Sequence, residues 1–154
     1  MLIYRIGKSE FIEDLSGYGA SLSNNRWNSK GVFMLYTSQH ISLSLLEVLV
    51  HLPYEILITI KLSLLTLEID ESKISDIDQL PKNWHNSDEL IRKRGDNWIA
   101  IKKSVGLKVP SIIVPEEKNI ILNPKHLEFS KSVKVVDLKP FEADRRLFAT
   151  KLSL

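Results

Sequence analysis

Four residues of this chain combine a reactive or ligand-holding side chain with a setting that suits chemistry: Arg26, Tyr36, Glu47 and Ser111. Arg26 sits in "NNRWNSKG" (24–31), a run of turn-forming residues that nonetheless carries an Arg and a Trp side by side. A guanidinium on such a loop can grip a phosphate with two parallel hydrogen bonds; it can equally be a solvated surface group lying on Trp27. Tyr36 follows a short apolar run and can stack on a flat ligand ring with its hydroxyl at the rim, or serve as a core aromatic. Glu47 is the only charge in "ISLSLLEVLV" (41–50). At helical spacing it shares a stripe with His40, Ser44 and His51, while Ile41, Leu45, Val48, Leu49 and Leu52 form an apolar face and Leu43, Leu46 and Val50 an apolar flank. So narrow a polar stripe is either the wet side of the helix or the wall of a cleft. Ser111 in "VPSIIVP" can touch a ligand or be structural, and Asn123 before Pro124 reads as a turn-former.

Other chemistries find little support. The chain has no cysteine, which removes thiolate catalysis, disulfides and Cys-based metal sites. His40, His51, His85 and His126 do not have the i, i+4 spacing of a zinc helix, so no metal is expected. "SGYGAS" (16–21) contains GxG but lacks a third glycine and a preceding strand, so it is not a dinucleotide fingerprint. Lys+Arg total 21 against Asp+Glu 19, a net charge of +2, and the basic clusters at 92–94, 102–103 and 145–146 are short and interrupted. That balance argues against direct nucleic-acid binding. The N-terminal "MLIYRIGKSE" does not read as a signal peptide, and no window reaches the roughly 18 apolar residues of a membrane span. Cytoplasmic location is the expectation.

These candidates need a scaffold, and 154 residues with 44% hydrophobic content suit one domain over 1–154. "LIYRI" (2–6) reads as a first strand, 7–31 as turn-rich, and "VFMLYT" (32–37) as a second strand. Thr37 or Ser38 is then the cap of a helix ending near Leu52, before Pro53. "EILITIKLSLLTLEI" (55–69) reads as strand, 70–84 as a polar connection, and Asp88–Arg94 as a short helix broken at Gly95, with Asp96 as a fresh cap. "KVPSIIVP" (108–115) and "NIILNP" (119–124) read as a hairpin closed by "EEK", "SVKVVDL" (132–138) as a last strand and "EADRRLF" as a closing helix. Because helices and strands do not alternate, the fold class is α+β with a mixed, largely antiparallel sheet, split or curved.

Taken in order, "YR", "GYGA", "RWNSKG", "YTS", "LLEVLVHL", "LPKNW", "GDNWI", "VPSIIVPEEKNIILNPKH" and "DRRLF" resemble the RES domain family, the toxin partners of Xre-type antitoxins in bacteria, from Tyr4 to about Phe148. The resemblance implies a fold like that of ADP-ribosyltransferases, a split sheet around a cleft that binds NAD. It implies an enzyme that consumes NAD by hydrolysis or phosphorolysis of the nicotinamide–ribose bond, or one that transfers ADP-ribose to a protein. Arg26, Glu47 and Ser111 fall on the residues for which the family is named, and Tyr36 on its "YTS" block. In this reading Glu47 stabilises an oxocarbenium-like sugar, Arg26 holds the pyrophosphate or ribose, Tyr36 stacks on nicotinamide, Ser111 orients the ribose–nicotinamide end, and Arg5 adds a cationic contact. The resemblance also implies an Xre-type antitoxin partner and leaves room for a homodimer within the complex. One departure is visible: relatives commonly have Gly-Gly before Arg-Trp-Asn, where this chain has Asn24 and Asn25, residues that tolerate positive φ. Two other classes make different predictions. An RNA-directed toxin would depend on the basic clusters and on salt, and a non-catalytic binding module would survive Glu47→Gln.

Overall fold

Strand alternation distributes the apolar residues to two faces of one sheet. In a computed structural model, described for residues 1–149, seven strands pair in the order β4-β5-β6-β2-β1-β3-β7. They are β1 (Leu2–Lys8), β2 (Leu35–Ser38), β3 (Leu62–Ile69), β4 (Ile74–Asp76), β5 (Gly106–Pro110), β6 (Lys118–Leu122) and β7 (Val133–Phe141). Only β4 and β5 run parallel; every other pair is antiparallel. Along β6, Ile120 and Leu122 join the core cluster of Ile3, Leu35, Leu65 and Leu67, while Ile121 between them joins that of Trp27, Met34, Ile91 and Trp98. The α+β, largely antiparallel architecture is the expected one. The expected domain of 1–154 includes residues 150–154, which lie outside the described residues.

The sheet is split. β1 and β3 pair along seven residues from Leu2↔Glu68 to Lys8↔Leu62, but β1 meets β2 at a single pair, Tyr4↔Ser38. Beyond that pair the strands part, and helix α2 (Ile41–His51) lies against the opening. The Ile6 amide, left without a partner on β2, donates instead to the Ser44 hydroxyl on α2 at 2.8 Å. A buried amide without that bond would cost about 1–3 kcal/mol. Helix α2 also packs Leu45, Val48 and Leu49 against the cluster of Ile6, Leu57, Leu62 and Leu64.

Several boundaries differ from the sequence reading. Thr37 and Ser38 do not cap α2; both lie on β2, and His40 stands at the helix N-cap without a side-chain bond. Residues 55–61 are not strand. Pro53 starts a short helix, α3 (Tyr54–Leu57), and β3 begins only at Leu62. The polar segment 70–84 hides β4, which pairs in parallel with β5 from Ile74↔Gly106. Strand β5 stops at Pro110 instead of continuing through 115, because the Ser111 hydroxyl accepts the amides of Ile113 and Val114 and folds the chain into a turn. The hairpin to β6 is therefore present, with a longer connection than "EEK". The remaining short α-helices are α1 (Tyr18–Ser21), α5 (Phe129–Ser132) and α6 (Arg146–Ala149), and single 3-10 turns lie at Glu71–Lys73 and Trp84–Asn86.

The largest correction concerns Gly95. One helix, α4 (Asp88–Ile101), runs straight through it. Asp88 and Glu89 in the first turn complement the helix dipole, and Lys102 in the left-handed region (φ 51°) ends it. Gly95 is required there by packing: a β-carbon would overlap the carbonyl of Trp27. No helix among the described residues is long and apolar enough to cross a membrane.

Candidate active site

The parting of β1 and β2 forms a cavity of about 660 Å³ walled by both strands, by α2, by the 24–27 loop and by the start of α4. Glu47, Tyr36, Arg26 and Arg5 all line it, so four of the five candidate residues converge. The fifth, Ser111, is fully buried and stands behind the wall, joined to the site through Glu47.

Glu47 has 24% of its side-chain surface exposed. Its Oε1 accepts from Asn119 Nδ2 at 2.7 Å and from Ser111 Oγ at 3.2 Å; its Oε2 lies 3.5 Å from His51 Nε2, one helical turn on. Burial pushes the carboxyl pKa up, but the bonds from His51, Asn119 and Ser111 outweigh it and leave the group below its ordinary value. Glu47 is thus ionised at neutral pH. The same contact raises the pKa of His51, against the opposing effect of its own burial. The helix C-terminus, where His51 sits, also favours the imidazolium.

Arg26 projects into the cavity while Trp27, 3% exposed, turns into the core and packs on Trp84 with ring centroids 6.2 Å apart. The Arg26 guanidinium binds Asp88 Oδ1 at 2.7 Å at the N-terminus of α4, and the His85 carbonyl at 3.4 Å. Arg5 Nη1 donates to the carbonyls of Ile12 and Asp14 at 3.1 and 3.0 Å, which fixes the turn after β1. Arg92, one turn after Asp88, also faces the cavity. Three guanidiniums against the carboxylates of Glu47 and Asp88 make the cavity suited to an anion.

The "NNRWNSKG" loop is built around Asn28, which is fully buried. Its amide donates to the carbonyls of Ala20, Ser29 and Val32, and its Oδ1 accepts from the Tyr36 hydroxyl at 2.8 Å. The Trp27 amide donates to that same hydroxyl at 3.1 Å. Burial accordingly raises the Tyr36 pKa, though the bond from Trp27 opposes it. The expected rim position of the Tyr36 hydroxyl is therefore corrected: the hydroxyl braces the loop. Asn24 and Asn25 need no positive φ; Lys102 is the only non-glycine residue with one among those described. They contribute side chains instead, Asn24 Oδ1 accepting the Lys30 amide and Asn25 Nδ2 donating to Ala20 O at 2.8 Å. From outside, Asp96 accepts both the amide and the hydroxyl of Ser29, at 2.9 and 2.6 Å.

Two residues were not singled out from the sequence. Asn119 gave no local signal, because its place opposite Ser38 arises from strand pairing. Arg92 sat in a cluster that read as a solvated face. Of the polar stripe on α2, Ser44, Glu47 and His51 line the cavity and His40 does not; Val50, expected on a buried flank, is 64% exposed at its edge.

Residues 2–144 match the RES domain, and the chain belongs to the RES domain family. It is 38% identical to "Toxin Res" of Photorhabdus laumondii over 98% of this chain and 99% of that protein. It is 30% identical to the "Prs ADP-ribosylating toxin" of Sphingobium sp., over 88% and 87% of the two chains. Its fold is that of a chain in the crystal structure of the M. tuberculosis MbcT–MbcA toxin–antitoxin complex, with a TM-score of 0.69, 13% identity, and coverage of 99% of this chain and 89% of that one.

Proposed function

We propose that this chain is an NAD-consuming bacterial toxin that cleaves the nicotinamide–ribose bond by hydrolysis or phosphorolysis, and that an Xre-type antitoxin neutralises it. The observation that carries the reading is Glu47, kept ionised inside a cavity of about 660 Å³ that Arg5, Arg26 and Arg92 also line. When the glycosidic bond breaks, its electron pair leaves with nicotinamide, and positive charge builds on the anomeric carbon and ring oxygen. A fixed carboxylate stabilises that charge and can accept a ribose hydroxyl. Water or phosphate then attacks the anomeric carbon and gives up a proton. Arg26 takes the pyrophosphate, exchanging Asp88 for it. The ring of Tyr36 offers a stacking surface for nicotinamide, and Arg5 adds positive potential. No step calls for a metal.

Transfer of ADP-ribose to a protein is the second reading, favoured by the name of the Sphingobium relative and by apolar side chains, Val50 and Ile112, exposed at the cavity edge. Incubation of purified protein with NAD, with and without phosphate and with candidate acceptor proteins, distinguishes the acceptors by product: ADP-ribose, its 1″-phosphate, or a labelled protein. No release of free nicotinamide under any of these conditions would sink both readings. An RNA-directed toxin predicts instead that charge reversal at 92–94 abolishes toxicity while Glu47→Gln is harmless.

A further inference from the structure

The two oxygens of Glu47 are not equivalent. Oε1 receives both strong donors, Asn119 Nδ2 at 2.7 Å and Ser111 Oγ at 3.2 Å, and both come from the β5–β6 hairpin. Among the described residues, Oε2 meets only His51 on its own helix, at 3.5 Å. Each donor is itself held in one orientation. Ser111 spends its one proton on Glu47 while its lone pairs accept the amides of Ile113 and Val114. Asn119 accepts at Oδ1 from the Ser38 hydroxyl at 2.7 Å, which turns its NH2 group toward the carboxylate. A flipped amide would set Oδ1 against an acceptor-only carboxylate. Ser38 and Asn119 are direct cross-strand partners on β2 and β6, so the sheet register itself sets this orientation.

We propose that Asn119, oriented by Ser38, is a positioning residue for Glu47: together with Ser111 it holds Oε1, so that Oε2 is the oxygen presented to the sugar. The consequence for the reaction rests on the nicotinamide-releasing reading above; the consequence for the carboxylate does not. A glutamate has three side-chain torsions to lose, and a carboxylate about 1 Å out of place can cost on the order of a hundredfold in rate. Holding one oxygen from a second structural element removes that freedom before substrate arrives. Asn119 and Ser111 also favour the ionised form, as does His51 on α2. The other ionisable groups facing this cavity are Tyr36 on β2, Arg5 on β1, Arg26 on the loop, and Asp88 and Arg92 on α4.

The test is a carboxyl-carbon NMR titration of Glu47 in protein labelled at the glutamate side-chain carboxyl, without substrate, for the wild type, Asn119→Ala, Asn119→Asp and Ser38→Ala. It is run beside kcat and KM for nicotinamide release. Loss of the amide donor moves the Glu47 midpoint to higher pH, Asn119→Asp moves it further by repulsion, and Ser38→Ala moves it less than either. In the same variants kcat falls roughly 10- to 100-fold with KM nearly unchanged, and the acid limb of kcat follows the NMR midpoint. A merely structural asparagine would move neither midpoint nor limb. Should the Asn119 variants fail to fold, Ser38→Ala carries the same reading. An unmoved Glu47 midpoint in a folded variant overturns the positioning whatever the activity. A wild type that releases no nicotinamide counts against the functional reading alone.

Discussion

Gly95 presses its backbone against the carbonyl of Trp27, so closely that the helix has no room there for a β-carbon. Helix α4 thereby grips the Arg26 loop at three places: Asp88 on Arg26, Gly95 on Trp27 and Asp96 on Ser29.

Gly95→Ala should therefore destabilise the protein, against its helix propensity. In an unobstructed helix the change would stabilise by about 1 kcal/mol. Here the overlap is with main chain, which cannot swing aside, and a loss of about 3 kcal/mol is expected from overpacking. Denaturant unfolding of the purified variant reads the sign directly; a stabilised Gly95→Ala would refute the close approach.

Tyr36→Phe removes the hydroxyl that serves both the Trp27 amide and Asn28. Leaving the Trp27 amide unpaired costs about 1–3 kcal/mol, and the loop that aims Arg26 loosens, with only Asn25 Nδ2 still on Asn28 Oδ1. Calorimetry should show a lowered melting temperature together with weaker NAD binding. A loss of turnover at unchanged stability would mean that the hydroxyl acts on substrate instead.

Arg26→Ala should reduce nicotinamide release by orders of magnitude, and Arg26→Lys should rescue little of it, since an ammonium lacks the planar fork. Asp88→Ala, by contrast, removes one side of a largely exposed pair, with Asp88 61% and Arg26 30% accessible, and should change stability by less than about 1 kcal/mol. Steady-state kinetics and melting curves on the three variants separate the two roles.

The Glu47–His51 pair predicts a pH window. The Glu47 pKa is depressed below 4.5, so its interactions are present above that value and lost as pH falls through the folded-state value. The His51 pKa is raised above 6.5, so its share is complete below 6.5 and lost as pH rises through the folded value. His51→Gln should shift the acid limb of the pH–rate profile upward and remove any dependence on imidazole titration. An unchanged acid limb would exclude His51 from the electrostatics of Glu47.

The sequence revealed those parts that depend on local pattern. Strand β1, helix α2 with its stop at Pro53, and the β5–β6 hairpin follow from alternation, period and proline. Residues 55–61 misled because β-branched residues beside a true strand look like its extension, whereas Pro53 starts a helix. Gly95 read as a break because its reason lies on Trp27, distant in the chain. Arg26 and Glu47 were visible as residues out of keeping with their surroundings, and Tyr36 as an aromatic at the end of a short apolar strand. Asn119 was not, since an asparagine near a turn is unremarkable until the strand register sets it beside Ser38.

Strands β1 and β2 share one residue pair, Tyr4 and Ser38, and that single stitch joins two otherwise separate ladders. Arg5 hangs from one ladder, Tyr36 and Asn119 from the other, and α2 lies across the join. Any guest that touches both sides acts as a brace across the seam. At a hundred times its dissociation constant such a guest raises stability by about 2.7 kcal/mol. Amide exchange along the facing edges of β1 and β2 should slow most when it is bound.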